Sequence, residues 1–306
     1  MSLNVLVTGA TGFIGRALVA DLLRGGASVI ALSRDARAAR ALLGPRVRVV
    51  GSLQEVADDE AIDACVHLAG ARVLGPPWTA GRRRLLLESR ARIAGDLMAL
   101  LRRLRQRPRV LVGASAIGWY GRSPDAANPP CDESHSPQPG QFQSDLCVAI
   151  EQALRPAQAL GVRVVALRFG IVLGADGGAY PPQARAARFG LASVLGSGRQ
   201  PVPWVHIQDA VGLARFAIDH EALAGPVNAV APQAPTQAEF ARALAASFGR
   251  GVWLRMPAAP LRLALGEMAD LLLEGRPVVP AAAREQGYAF RFPGLEAALA
   301  DLARRH

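Results

Sequence analysis

Between Thr8 and Gly15 the chain reads Thr-Gly-Ala-Thr-Gly-Phe-Ile-Gly, and no other stretch narrows the possible folds as far. The apolar run Leu3 to Val7 precedes it, and Ile14, Leu18 and Leu22 after it share one helical face, so the turn joins a strand to a helix. Glycines at 9, 12 and 15 let backbone amides approach phosphates closely, while the helix N-terminus adds a dipole that favours negative charge. A second apolar run, Ser28 to Leu32, follows the stop Gly25-Gly26 at the spacing of a βαβ unit. The turn therefore reads as a dinucleotide cradle using Gly9, Thr11, Gly12, Phe13 and Ile14; a tight structural turn is the competing reading.

Further apolar runs at residues 47–50, 64–68, 109–112 and 162–167 alternate with helical patterns, including a long helix expected over 80–106 that ends before Pro108. The runs lack polar alternation, as parallel strands covered on both faces should. The pattern predicts an α/β chain with a Rossmann-type doubly wound parallel sheet and a smaller, irregular C-terminal substrate lobe. Residues 1–170 are assigned to the dinucleotide-binding domain and 171–306 mainly to the lobe, with some segments returning to the first domain and a distinct C-terminal unit from about residue 252. Helices are expected near 209–219, 237–248 and 260–273.

Composition excludes several classes. No apolar run approaches the roughly 18–20 residues of a membrane span, and the N-terminus has no signal-peptide pattern, so a cytoplasmic chain with no membrane partner is expected. Cys65, Cys131 and Cys147 form no C-x-x-C pair, so neither a disulfide framework nor a metal site is expected. All 35 basic residues are arginine, and ten of them against two acids fall between Arg82 and Arg109. A solvated helix face accounts for that run better than a nucleic-acid surface. The expected partner is a small molecule, with a homodimer left open.

The end of the second expected strand bears on which dinucleotide binds. An acid there would hold a ribose 2′-hydroxyl, but the chain has Ser33 and Arg34, with Arg37 and Arg40 following. A guanidinium grips a 2′-phosphate bidentately, so NADP(H) is favoured over NAD(H); the other reading puts Asp35 on the ribose.

Several motifs carry a family resemblance. The Thr8–Gly15 turn, His67-Leu68-Ala69-Gly70 and Ser115 with Trp119-Tyr120-Gly121 resemble the extended short-chain dehydrogenase/reductases. Segments 113–121, 167–178, 195–200, 204–209 and 225–232 are similar to an NAD-dependent epimerase/dehydratase subgroup. The stretch from about Trp253 to Leu295 resembles the small domain of unknown function that ends those proteins. The resemblance implies cofactor contacts from Leu68, Ala69, Gly70, Phe169 and Gly170, with Arg168 near the nicotinamide. It also implies a substrate-orienting serine, Ser115, and a Tyr-x-x-x-Lys pair. Aligning the trailing Glu151 puts Gln143 and Cys147 at those two positions, and the chain has no lysine to restore the pair in another register. An amide cannot exchange a proton at useful pH, and a neutral thiol cannot lower a phenol pKa.

The substitutes have two readings each. Tyr120 is a proton donor beside Ser115 or a packing tyrosine; Cys147 is a nucleophile or an inert small hydrophobe. Glu133 is an acid or a solvated loop residue, and Asp209, after His206, caps a helix. Trp78 offers a stacking face and Arg82 an anion clamp for substrate, with Trp204 a further contact, or Trp78 anchors its loop. The expected function is an NADP(H)-binding oxidoreductase or epimerase/dehydratase acting on a small carbonyl or sugar-like substrate. The alternative is a dinucleotide sensor or scaffold without catalysis.

Overall fold

A computed structural model describes residues 3–123 and 129–305. Its first half alternates β1 (Asn4–Thr8), α1 (Phe13–Arg24), β2 (Ser28–Leu32), α2 (Ala36–Leu43), β3 (Val47–Val50), β4 (Ala64–His67), α3 (Ala80–Arg103), β5 (Val110–Ala116), α4 (Phe142–Leu154) and β6 (Arg163–Phe169). These strands and β11 (Gly225–Ala229) form one parallel sheet in the order β3-β2-β1-β4-β5-β6-β11. The order reverses beside β1, which pairs β2 on one side and β4 on the other. This switch point is where doubly wound sheets form a ligand crevice, beyond the strand C-termini.

The apolar runs have a direct structural cause. Val5 and Val7 of β1 and Val110 and Val112 of β5 face a core completed by Leu18 and Leu22 of α1. Their neighbours Leu6 and Leu111 face the opposite core, against Leu97 and Leu101 of α3. Successive strand residues point to opposite faces, and both faces are covered, so neither can be polar. Thr79 caps α3 by accepting from the Arg82 amide, and the helix stops at Leu104, earlier than its pattern suggested. Just past that stop, the Arg105 amide turns away to bond the Asp58 carbonyl.

The second half builds β7 (Ile171–Gly174), β8 (Gly177–Gly178), α5 (Tyr180–Arg188), β9 (Ser193–Leu195), β10 (Trp204–His206), α6 (Ile207–Asp219), β11 (Gly225–Ala229) and α7 (Gln237–Ala246). The last segments are β12 (Leu254–Met256), α8 (Ala258–Leu265), α9 (Asp270–Leu273), α10 (Ala281–Glu285) and α11 (Leu295–Arg305). Strand β11 joins the large sheet, α6 packs against α1, and Ala283 of α10 reaches the same core. Elements β7, α5, β10, α7 and α11 enclose a second core around Tyr180, Trp204, Phe240 and Leu299.

Two polar clusters hold the C-terminal segments in place. Asp209 is not the α6 cap expected of it. The cap is His206, whose Nδ1 accepts from the Gln208 amide at 3.1 Å. The buried Asp209 carboxylate instead accepts from the Arg291 and Phe292 amides at 2.7 and 2.9 Å. Near α9, Arg122 faces Glu267, Asp270 and Glu274, while Arg83 pairs Glu267 and Arg262 pairs Asp270 and Glu274. Among the described residues no helix is long and apolar enough to cross a membrane.

Candidate functional site

The fingerprint forms a backbone cradle at the crevice. Gly9 adopts φ +75°, in the left-handed region that favours glycine, and a Cβ there would lie 2.7 Å from the Ala69 nitrogen. A Cβ on Gly15 would lie 2.1 Å from the Gly9 carbonyl oxygen, so the first helical turn sits directly on the glycine loop. Gly12 caps α1 with no side-chain acceptor, and no acid stands in the first turn. The leading amides of α1 thus remain available to an anion. Phe13 does not face the crevice freely: its ring packs on Gly174, Gly177 and Gly178, where any Cβ would clash with it.

Residues 68–70 form the facing wall. The Thr8 hydroxyl and His67 Nδ1 are 2.7 Å apart, tying the ends of β1 and β4 together. Burial, with Arg90 nearby, pushes the His67 imidazole down to about 4, so it is neutral near pH 7. Arg90 donates to the Ala71 carbonyl at 2.9 Å and fills the space above Gly70. At the end of β2, Asp35 is occupied as the α2 cap, accepting from the Ala38 amide at 2.9 Å. The alternative ribose contact from Asp35 therefore has a competing partner, while Arg34 and Arg37 stand exposed.

On the β5–β6 side, the structure brings Ser115 to a residue the sequence reading had left without a role. Ser115 donates to Glu151 Oε1 at 2.8 Å. Glu151 also accepts from Arg168 Nε at 2.8 Å and Nη2 at 3.0 Å, in a two-pronged pair. Gln143, Cys147 and Glu151 follow one another at four-residue spacing along one face of α4. Gln143 donates to Gln141 at 3.1 Å, and its own oxygen is buried without a partner. Cys147 donates to the Ala116 carbonyl at 3.4 Å, and burial pushes its thiol up to about 11. This favours the inert reading of Cys147 over the nucleophile.

Other expected contact residues are engaged within the protein. Tyr120 is 1% exposed; its hydroxyl donates to Asn228 Oδ1 at 2.7 Å and accepts from Arg168 Nη1 at 2.9 Å. Burial pushes that phenol up to about 12, and no face of it is open to a substrate. Arg168, 2% exposed and stacked on Trp119 at 3.9 Å, serves this network. Trp78 is the loop anchor: it is buried edge-on against Phe142, and its indole donates to the Val73 carbonyl. Trp204 lies in the second core with no exposed surface. Arg82 donates to the Arg72 carbonyl and braces the same loop. Glu133 is no solvated residue either, since it accepts from the Asn228 amide at 2.9 Å. Phe169 is buried in the sheet core, with Gly170 bonded to the Ala229 carbonyl, so their nearness to the crevice is through backbone.

The α3 arginines are spent largely on the protein itself. Arg103 binds Asp58 and the Leu53 and Val56 carbonyls, Arg83 binds Glu267, and Arg84 faces Glu88.

Comparison with known proteins agrees with this geometry. The model of the NAD dependent epimerase/dehydratase family matches residues 5–230, and that of a domain of unknown function, DUF1731, matches 256–302. Epimerase family protein YfhF of Bacillus subtilis is 32% identical over 304 residues, covering 98% of each chain. Epimerase family protein SDR39U1 of Homo sapiens is 34% identical over 304 residues, covering 98% of this chain and 99% of the relative. The crystal structure of human SDR39U1 isoform 2 with NADPH matches with a TM-score of 0.89 at 33% identity, covering 99% of this chain and 100% of that one. A UDP-N-acetylglucosamine 4-epimerase from Bacillus cereus, 20% identical with a TM-score of 0.77, shares the fold. The chain therefore belongs to the NAD dependent epimerase/dehydratase family, built on the extended short-chain dehydrogenase/reductase fold and ending in a DUF1731 domain.

Proposed function

We propose that this protein binds NADP(H) and uses it as an oxidoreductase or epimerase/dehydratase on a small carbonyl or sugar-like molecule. The observation that carries the reading is the glycine cradle at Gly9, Gly12 and Gly15, closed against Leu68 and Ala69 and open at the α1 amides. The NADPH in the human relative's structure supports the same choice of cofactor. Arg34 supplies the positive charge for the 2′-phosphate, with Ser33 beside it and Asp35 held as a helix cap. Ser115 orients the substrate oxygen. Because its proton is given to Glu151, its lone pairs are left to accept a hydrogen bond from a substrate hydroxyl.

A second reading, a dinucleotide sensor without turnover, is favoured by one observation: Gln143 and Cys147 stand where a tyrosine–lysine pair would act. The two readings separate on hydride transfer. NADPH consumption with a carbonyl, or conversion of a sugar nucleotide to its epimer or dehydration product with the cofactor regenerated, supports the enzyme, and tight binding with neither supports the sensor.

Cofactor choice is tested by titrating NADPH and NADH into Arg34→Ala. Loss of a charged hydrogen bond of about 1.5–3 kcal/mol predicts roughly tenfold to hundredfold weaker NADPH binding. NADH affinity should hardly change. Equal weakening of both would remove the 2′-phosphate role from Arg34.

A further inference from the structure

The C-terminal domain exposes a surface that the cofactor site does not use. Six of the ten exposed large hydrophobic side chains among the described residues lie in two segments: Phe189, Leu191, Trp253, Leu254, Met256 and Leu263. Parallel pairing of β9 with β12, Ser193 opposite Leu254, sets the segments side by side. Strand β12 is exposed along its whole length, and α8, reading Ala-Ala-Pro-Leu-Arg-Leu-Ala-Leu, buries none of its residues fully. Only Leu265 of α8 packs on a core cluster, beside Met268, so most of this apolar helix lacks the packing that usually stabilises a short helix.

Charge indicates what covers it. Residues 177–208 and 240–266 contain no aspartate or glutamate, and they carry seven arginines: 185, 188, 199, 242, 250, 255 and 262. Arg262 is paired with Asp270 and Glu274. Among the described residues, the exposed Arg185, Arg188, Arg250 and Arg255 form no ion pair. Aromatic and aliphatic side chains bordered by unpaired arginines are the composition of an interfacial membrane anchor on anionic lipid. Trp253, Phe189 and Leu263 are 87%, 76% and 91% exposed, so no groove of the protein encloses them. A rigid acidic partner would need a matching pocket for each, whereas the headgroup–acyl boundary of a bilayer envelops them without one.

We propose that this face, Phe189–Leu191 together with Trp253–Leu263, docks the protein peripherally on anionic phospholipid bilayers.

Trp253 is a built-in probe, since Trp78 and Trp204 are buried and Trp119 is partly buried. Full-length protein is mixed with phosphatidylglycerol/phosphatidylcholine vesicles or with pure phosphatidylcholine vesicles, and flotation and tryptophan emission are recorded. Binding to the anionic vesicles with a blue-shifted emission is expected, falling as salt rises from 0.1 to 1 M and the Debye length shrinks from about 10 to 3 Å. The double variant Trp253→Ser, Leu263→Ser should partition roughly tenfold or more weakly while keeping the wild-type circular dichroism and melting profile. Absence of anionic-vesicle binding overturns the proposal, as does equal binding by a folded double variant. A blue shift produced by protein concentration alone would assign the face to a second copy of the chain. Equal affinity for polyglutamate with no shift would assign it to an acidic protein.

Discussion

Replacing Arg168 with methionine should lower stability by roughly 3–5 kcal/mol, the cost of leaving a buried charge without its partner. Glu151 would keep only the Ser115 hydroxyl and lose both guanidinium bonds. Tyr120 and the Glu133 carbonyl would lose a donor, and Trp119 would lose the cation over its ring. The pairing, not the charge itself, sets the size of the effect. A double variant, Arg168→Met with Glu151→Leu, should therefore be less destabilised than the single one, because well-packed apolar pairs often replace buried ion pairs without loss. Urea unfolding of the two variants checks this order. A single-variant loss below about 1 kcal/mol would mean that solvent already reaches the pair.

Adding one methyl group at Gly15 should abolish measurable NADPH binding and destabilise the fold by roughly 1–3 kcal/mol or more. The new Cβ would meet the Gly9 carbonyl at 2.1 Å and Ala10 Cα at 2.8 Å, both backbone atoms that no rotamer change can move. Any relief shifts the glycine loop against α1 and spoils the amide cradle. Gly26→Ala is the matched control. Gly26 has φ +77° with nothing within 4 Å of a new Cβ, so it carries the left-handed backbone penalty without the clash. About 1–2 kcal/mol of destabilisation and unchanged cofactor affinity are expected for it. Comparable loss of NADPH affinity in both variants would show that the Gly15 effect is general instability.

The cofactor half of the crevice was legible because its determinants are local. A strand, three glycines and a helix start lie within about twenty residues, and the β/α alternation follows from apolar runs covered on both faces. The other half depends on partners distant in sequence. Tyr120 reads as a loop hydroxyl until Asn228, 108 residues later, arrives beside it on β11. That strand was itself missed, since Gly225-Pro226-Val227-Asn228-Ala229 carries turn residues at positions that the sheet edge tolerates. Asp209 sits where a cap is expected, yet its acceptors are claimed by amides 82 and 83 residues on. Trp78 and Trp204 resemble ligand platforms by residue type, and only packing reveals them as buried. Glu151 partners Ser115 although 36 residues separate them in the chain. Its position one turn beyond Cys147 on the same helical face was the available signal.

A crystal structure of the protein with NADPH tests the account most directly. The pyrophosphate should lie on the leading amides of α1, the 2′-phosphate against Arg34, and the nicotinamide ring within about 6 Å of Ser115 Oγ, close enough for a substrate oxygen to bridge them. Tyr120 should remain bonded to Asn228 and Arg168. A ring farther than that from Ser115, or a Tyr120 hydroxyl swung out to meet it, would contradict the proposed arrangement, in which the glycine cradle holds the cofactor and Ser115, held by Glu151, faces the substrate.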